Sequence, residues 1–449
     1  MPMLSRREIA LTLCGGVAFF GSKNRPPAAD IAPAFNLAFP LFEFARTAWT
    51  AAGPNANAPN GAFNSFLHRR RLTDPSQRAI TATNNDCLVS NARIDLSGGP
   101  VLLTVPEIKD RYFSLAFMDA FTDNFHFIGT RSTGGLGGTF LLRPPGSRFP
   151  PPAGAMALDC PSQDIWILAR ILVSDPSDAA NVNALQDRLI LYPASTNAPR
   201  AGAVAATGDA RQSPNALLRV ANAMLARVPA NDSRVRRAAR YRRIGLARGH
   251  ADAFERLPEA LQAEWRDSLP QLLRSLATAD PRRTREVDGW YYSAASLGAF
   301  GDNDFLRAQT ALIGLAALPP EEAFYGHALS ARDGAPLTGE FAYRLRVPAS
   351  PPVDAFWSVT MYQVEGDGRL FLTPNPIGRY SIGNRTQALR YNEDGSLDVY
   401  LSAAPPPDAW RSNWLPAPPG AFRPAFRAYL ARPELRNLTW RLPPVERIM

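Results

Sequence analysis

Lysine is nearly missing from this chain. Lys23 and Lys109 are the two among 449 residues, so the net charge of +9 rests on arginine, spread along the sequence rather than gathered in a tail. The densest cluster, "RVRRAARYRRIGLARGH" at residues 234–250, reads either as a nucleic-acid or acidic-membrane patch or as the solvated face of a helix. No nucleic-acid motif accompanies it, and no nucleic-acid partner is expected. The four histidines, His68, His126, His250 and His327, are scattered without ligand spacing. There is no Gly-x-Ser-x-Gly elbow, no Walker loop, no His-Glu-x-x-His and no Cys-x-x-Cys. The glycine-rich "STGGLGGTF" at 132–140 lacks the lysine and following helix of a phosphate cradle and reads as a hairpin turn. At 46% hydrophobic and 20% charged, the chain is no disordered segment and can bury the cores of two or three domains.

Long apolar runs are missing as well. The run from Ile9 to Gly21 is 13 residues, too short to span a bilayer. It follows Ser5-Arg6-Arg7, and Ala32-Pro33-Ala34 then places small residues where a signal peptidase reads. This is the layout of a secretory leader, similar to the twin-arginine type, the alternative being a disordered basic N-terminus. A leader over residues 1–34 implies a periplasmic or secreted protein with no integral membrane segment in the mature chain. Cys14 follows the bulky Leu13 and the run continues past it, which argues against lipid attachment. Cys87 and Cys160 would remain, and spacing alone does not say whether they pair.

What is present is strand pattern, and it repeats. "LLTVPEIKDRYFSLAFMDAF" (102–121) lies beside "RLRVPASPPVDAFWSVTMYQV" (344–364) with an apolar strand, Val-Pro, a loop to an aspartate, then aromatic-aromatic-Ser-aliphatic. Tyr112-Phe113-Ser114-Leu115 matches Phe356-Trp357-Ser358-Val359. "DIWILARILV", "FAYRLRV" and "EDGSLDVYLS" add short strands, the last with Asp394-Gly395 as its turn. Between the two units the period changes to helical. Ser213-Pro214 caps a run of Leu217, Val220, Ala221, Met224, Leu225 and Val228. Phe254 through Leu276 keeps the period around Trp265, with Pro258 and Pro270 suited to helix starts, and Phe305, Leu312 and Leu315 form a third stripe. The expected fold is α+β: two antiparallel, sandwich-like domains at 35–205 and 321–449, joined by a helical region at 206–320.

"NND" at 84–86, "VPEIKDRYFSLAFMDAFTDNFHFIGTRSTGG" and "PSQDIWILARILV" resemble the domain of unknown function numbered 1254. "DGWYYSAASLGAFGDNDFLRAQTALIGLAAL", "PPVDAFWSVTMY", "RYSIGNR", "NEDGSLDVYL" and "NWLPAP" resemble its usual companion, numbered 1214. The resemblance covers residues 40–449. It implies exported or surface-associated bacterial proteins with two β-rich domains and surrounding helices, and it implies no activity, cofactor or catalytic residue. Where relatives tend to carry threonine and tyrosine after Asn-Asp, this chain has Cys87 and Val89.

The best candidate for chemistry is the polar run that ends "YFSLAFMDAFTDNFHFIGTRSTGG". Read as a continuing strand, it places Asp119, Phe121 and Asp123 on one face and Ala120, Thr122 and Asn124 on the other. Arg131 among these acids is either an internal staple or a bidentate grip on a substrate carboxylate. Asp119, Asp123 and His126 are a metal set only if folding assembles them, and no metal is assigned. Two readings follow. One is a small-molecule binding protein, or a hydrolase-like enzyme, with a cleft between the domains. Asp119 would be its base, Arg131 or Tyr362 would stabilise negative charge, and Asn124, His126, Arg131, Thr133, Trp357, Arg379 and Tyr380 would contact the ligand. The other is a non-enzymatic envelope protein that engages a protein or polymer partner. Convergence of Asp119, Arg131, Tyr362 and Arg379 on one pocket would separate them.

Overall fold

The computed structural model of the chain describes residues 28–53, 62–78, 81–195, 202–278, 285–366 and 368–448. Helix α1 (Ala28–Ala52) carries Phe35, Phe39 and Phe42 fully buried, together with Leu37, Leu41 and Phe44. A helix apolar on every side must be surrounded by protein. The expected leader boundary at Ala34 falls inside this helix, and Ala34 itself is buried. Arg6, Arg7 and the apolar run lie outside the described residues.

The first sandwich is built from β1 (Phe66–His68), β2 (Cys87–Asp95), β3 (Val101–Val105), β4 (Phe113–Met118), β5 (Asn124–Gly129), the one-turn helix α2 (Thr130–Thr133), β6 (Gly138–Arg143), β7 (Ala155–Asp159), β8 (Asp164–Leu172), helix α3 (Ala179–Asp187) and β9 (Ile190–Pro193). Its larger sheet runs β1-β2-β8-β4-β5 and its smaller sheet β7-β6-β3-β9. Alternation assigns the faces: Leu88, Ala92 and Ile94 of β2 meet Leu115 and Phe117 of β4 and, from the other sheet, Leu103, Phe140 and Leu142. The strand ending in Val105-Pro106 therefore crosses between sheets instead of returning as a hairpin. So does "STGGLGGTF", because β5 and β6 belong to different sheets.

Helices α4 (Pro214–Ala226), α5 (Ser233–Ala238), α6 (Glu259–Thr278) and α7 (Asp304–Ile313) form the helical module, and α1 packs against α4, α6 and α7. Residues 35–52, expected to open the first sandwich, belong to this helical core in space. Ser213 caps α4 as its sequence indicates, accepting from the Ala216 amide. Trp265 is core, its indole donating to the Ile244 carbonyl at 2.9 Å. Pro270 starts no helix and lies within α6, which runs on through it. Phe305, expected on the buried stripe of α7, is exposed, and Leu306 and Ala308 are buried in its place.

The second sandwich comprises β10 (Glu286–Val287), β11 (Trp290–Tyr292), β12 (Ala323–Ala328), β13 (Tyr343–Val347), β14 (Trp357–Val364), β15 (Leu370–Phe371), β16 (Ser381–Gly383), β17 (Leu397–Ser402), β18 (Trp414–Pro416), β19 (Phe422–Tyr429), the short helix α8 (Pro433–Arg436) and β20 (Glu446–Arg447). Its first two strands come from the stretch expected to be wholly helical. The larger sheet contains the path β11-β12-β19-β14, with β16 also on β14, and the smaller one runs β18-β17-β13-β20. Apart from the two-residue strands β10 and β15, this repeats the strand order of the first sandwich, in the same chain order. Even the parallel pairs correspond, β6 with β7 and β17 with β18. The short match read from sequence is thus the visible part of a whole-domain duplication.

The outer face of the first sandwich's larger sheet is shared between two neighbours. Val89, Met118, Trp166 and Leu168 pack on the helical core. Cys87, Tyr112, Ala116 and Leu172 pack on Leu318, Ala323, Phe356, Tyr429 and Leu430, which brings the second sandwich against the first. Cys87 and Cys160 are both free, each buried in a different core.

Candidate functional site

The polar run does not continue as a strand. β4 ends at Met118, and residues 119–123 turn, with Thr122 in the left-handed region at φ 71°. Asp119 makes that turn by accepting from the Phe121 and Asp123 amides at 2.9 and 3.2 Å. Arg234 pairs with both carboxylates, 2.7 Å from Asp119 and 2.8 Å from Asp123, and Arg307 reaches Asp123 at 2.8 Å. Burial pushes the Asp119 carboxyl above its ordinary range against the pull of Arg234. These acids bind the first sandwich to the helical module. They do not meet His126, whose ring lies edge-on to Phe117 at 5.6 Å and whose pKa is lowered by burial. The triad of His126, Asp119 and Asp123 is therefore not assembled, and among the described residues no group of three His, Cys, Asp or Glu side chains is placed to hold a metal.

The other expected contacts are dispersed. Asn124 donates to the Gly298 and Ala317 carbonyls at 3.0 Å, and Thr133 bonds the Gly129 and Leu136 carbonyls within its own turn. Tyr362 is buried, its hydroxyl 2.5 Å from the Thr83 carbonyl, and Tyr380 packs beside it. Arg379 donates to the Ser412 and Trp414 carbonyls at 2.9 Å. Trp357 belongs to the second core and borders a groove of about 310 Å³ at that sandwich's end, beside Asn384 and Tyr391. A groove of about 480 Å³ occupies the corresponding end of the first sandwich, beside Pro106 and Arg188. Asp119, Arg131, Tyr362 and Arg379 thus go to four separate places.

Arg131, like Tyr362, reaches the other sandwich, and it does so within a reciprocal clasp. Its Nε donates to Glu322 at 2.6 Å, and the Tyr112 hydroxyl donates to the same carboxylate at 2.8 Å. The duplicate repeats this in reverse: Arg385 donates to Asp86 at 2.6 Å and the Ser358 hydroxyl donates to it at 2.8 Å. Each acid immediately precedes one of two matching strands, β2 or β12, and is held by side chains of the other sandwich. Each arginine follows an Ile-Gly-polar triplet, "IGTR" at 128–131 and "IGNR" at 382–385. The glycines are needed because a Cβ at Gly129 would lie 2.3 Å from the Phe113 carbonyl, and one at Gly383 would lie 2.0 Å from that of Trp357. That repeated tetrapeptide is a sequence signal for the two arginines of the clasp, though not for their acids.

Between the two halves of the clasp lies a further pair of arginines. In β8, Arg170 stands beside Ser114 across the sheet, and in β19, Arg427 stands beside Ser358. Arg427 is satisfied by Thr360 at 3.1 Å and the Ala82 carbonyl at 2.9 Å. Arg170 has Ala116 where its counterpart has Thr360, and its Nη1 is buried with no hydrogen-bond partner among the described residues. The groups that surround it include Tyr325, Tyr429, Tyr112 and Cys87. The residue lies deep in the molecule and still retains contact with solvent. Burial pushes the Tyr112 and Tyr429 phenols well above their usual pKa and the Cys87 thiol up to about 12, so all three stay neutral at physiological pH. The site is a cation beside phenols and a thiol, in the seam between the two sandwiches.

A second arginine, Arg227, bridges Asp95 and Asp164 at 2.6 and 2.5 Å. Burial, against the opposing effect of Arg227, pushes Asp164 up to about 6. An unfolded aspartate titrates near 4, so the folded state binds the extra proton between roughly pH 4 and 6. The contribution of this group to stability therefore falls as pH rises through that window, by up to about 3 kcal/mol. Urea unfolding of wild type and Asp164→Asn at both ends of the window checks this: the wild-type-minus-variant difference should fall with rising pH, and a constant difference would refute it.

The pattern of the family described as protein of unknown function (DUF1254) matches residues 63–193, and that of the family described as protein of unknown function (DUF1214) matches residues 322–433. The chain belongs to the family that carries both. The two matches fall on the two sandwiches, so each DUF1254 element of the clasp answers a DUF1214 one. Among solved structures, the VPA0106 protein from Vibrio parahaemolyticus is similar at 23% identity and a TM-score of 0.74, over 94% of this chain and 100% of that one, a likeness of fold. An uncharacterised protein from Burkholderia cenocepacia matches at 15% identity with a TM-score of 0.45, over 94% of this chain and 95% of that one. No curated protein matches this DUF1254–DUF1214 chain.

Proposed function

We propose that this is an exported protein that binds a small anionic molecule, with a carboxylate or phosphate-like group, at the junction of its two sandwiches and helical module. The observation that carries this reading is Arg170. A buried guanidinium nitrogen without a hydrogen-bond partner is costly, and Arg170 has one in its Nη1, whereas both Nη1 and Nη2 of its duplicate Arg427 are engaged. A planar guanidinium with a free donor suits a carboxylate or phosphate oxygen, and the phenols of Tyr325 and Tyr429 lie around it. The proposed ligand site thus moves from Arg131, which is occupied by Glu322, to Arg170. With the Cys87 thiol protonated, no activated nucleophile is identified beside it, and the reading is one of binding rather than hydrolysis.

Thermal shift and titration calorimetry with acetate, a dicarboxylate panel and inorganic phosphate test it. At least one of these should stabilise the wild type, and Arg170→Gln should abolish that response while remaining folded. Equal responses in both proteins, or no response in either together with an unliganded mass for protein recovered from the periplasm, would refute it.

A further inference from the structure

The seam between the sandwiches does not balance its charge. Each sandwich contributes two arginines to it. One follows the Ile-Gly-polar triplet, Arg131 or Arg385, and the other stands beside Ser114 or Ser358 across the sheet, Arg170 or Arg427. Arginine stays protonated at physiological pH, so these are four fixed positive charges. Two acids face them: Glu322 pairs with Arg131 and Asp86 with Arg385, each at 2.6 Å. The other buried acids of the described residues are each committed to an arginine outside these four, as Asp119 is to Arg234, Asp164 to Arg227 and Asp178 to Arg111. At the rim, Arg78 pairs with Glu365 and Arg432 with Asp354, which leaves the sum unchanged. However the two seam carboxylates are shared, two cations remain.

Arg170 and Arg427 are the two left over, and the phenols of Tyr325 and Tyr429 lie within electrostatic reach of both. Asp86 also acts on Arg427, but its two oxygens are taken by Arg385 and Ser358. The two cations differ in what they offer. Both Nη atoms of Arg427 are held by neutral acceptors, Thr360 and the Ala82 carbonyl, which leave its charge in place. Nη1 of Arg170 has no partner among the described residues. One cation therefore offers a hydrogen bond and a charge, and the other a charge alone. Positive charge held out of water is costly until an anion answers it, and a single anionic group on Arg170 answers half of this excess. We infer that the ligand of the seam is a dianion, with one anionic group bonded by Arg170 and its second negative charge balanced by Arg427. This rests on the reading of Arg170 as a ligand site and adds the ligand's charge: a dicarboxylate or hydrogenphosphate is favoured over a monocarboxylate.

Titration calorimetry on the full chain, at mildly alkaline pH and constant ionic strength, compares ligands that differ by one charge. The pairs are succinate with its monomethyl ester and hydrogenphosphate with dimethyl phosphate. In at least one pair the dianion should bind tighter than its monoanionic analogue by about tenfold or more, the effect of one further charge pair in a partly screened interior. Which pair shows the gap tells a carboxylate ligand from a phosphate one. Arg427→Gln should bring the two affinities together, and Arg427→Lys, which keeps the charge, should preserve the gap. Because Arg427 also ties Ala82 and Thr360, melting curves accompany both variants. Should the glutamine variant not fold, the wild-type gap and its retention in the lysine variant decide the matter. Equal binding of dianion and monoanion in both pairs, abolished by Arg170→Gln, would overturn the dianion and leave the binding reading standing. A gap that persists in folded Arg427→Gln would overturn it as well, and no binding of any of the four ligands would remove it together with that reading.

Discussion

Asp86→Ala is expected to destabilise the protein by about 3–5 kcal/mol. Its side chain is fully buried and accepts from Arg385 at 2.6 Å and Ser358 at 2.8 Å. Removing the carboxylate leaves the Arg385 guanidinium in the seam between the sandwiches, partnered only by the Val173 carbonyl and lying over the Phe356 ring. An uncompensated buried charge costs more than the pair contributes, so a second change should restore part of the loss. Asp86→Ala combined with Arg385→Leu should be more stable than Asp86→Ala alone. Denaturant unfolding of the three variants reads this directly, and a loss below about 1 kcal/mol for the single variant would show that the seam tolerates the charge by admitting water. Glu322→Ala, in the reciprocal arm, should behave alike but more mildly, because Arg131 is about one-third exposed and can be rehydrated.

How much of this was legible follows from sequence distance. The frame that relates Phe113-Ser114 to Trp357-Ser358 was readable because strand alternation is local and its period survives duplication. The clasp joins Asp86 to Arg385 across 299 positions, and no local pattern marks an acid whose partner is on another domain. The turn at Asp119 was read as strand because alternation carries straight through it, while the left-handed Thr122 that breaks the strand is a β-branched residue with no turn propensity of its own. Arg170 was invisible for the same reason that it is informative. It sits at an ordinary outward position of a strand, and only the missing partner distinguishes it from Arg427. In α1, a helix with apolar residues on all sides has the composition of a leader's neighbour and of a core helix alike, so the boundary placed at Ala34 could not be decided by hydrophobicity.

That boundary leads to the other large effect. A chain beginning at Phe35 should fail to reach the native state, whereas one beginning at Ala28 should fold. Residues 28–34 supply the first turns of α1, with Ile31 and Ala34 in the helical core and Asp30 in its ion pair with Arg243. Losing them removes the buried Ile31 side chain, worth about 2–3 kcal/mol, and the Asp30 pair. It also sets a charged amino terminus at the fully buried Phe35, at a cost in desolvation. Phe39→Ala in the intact chain isolates the packing contribution of the same helix and should cost about 3–5 kcal/mol through the cavity it leaves. Circular dichroism and thermal melts of the two truncations separate the alternatives, and N-terminal sequencing of protein recovered from the periplasm adds an independent reading. Cleavage upstream of Asp30 is the outcome compatible with this packing. A stable, cooperatively melting protein that begins at Phe35 would mean that α1 docks through its later turns alone and that its first turns are dispensable.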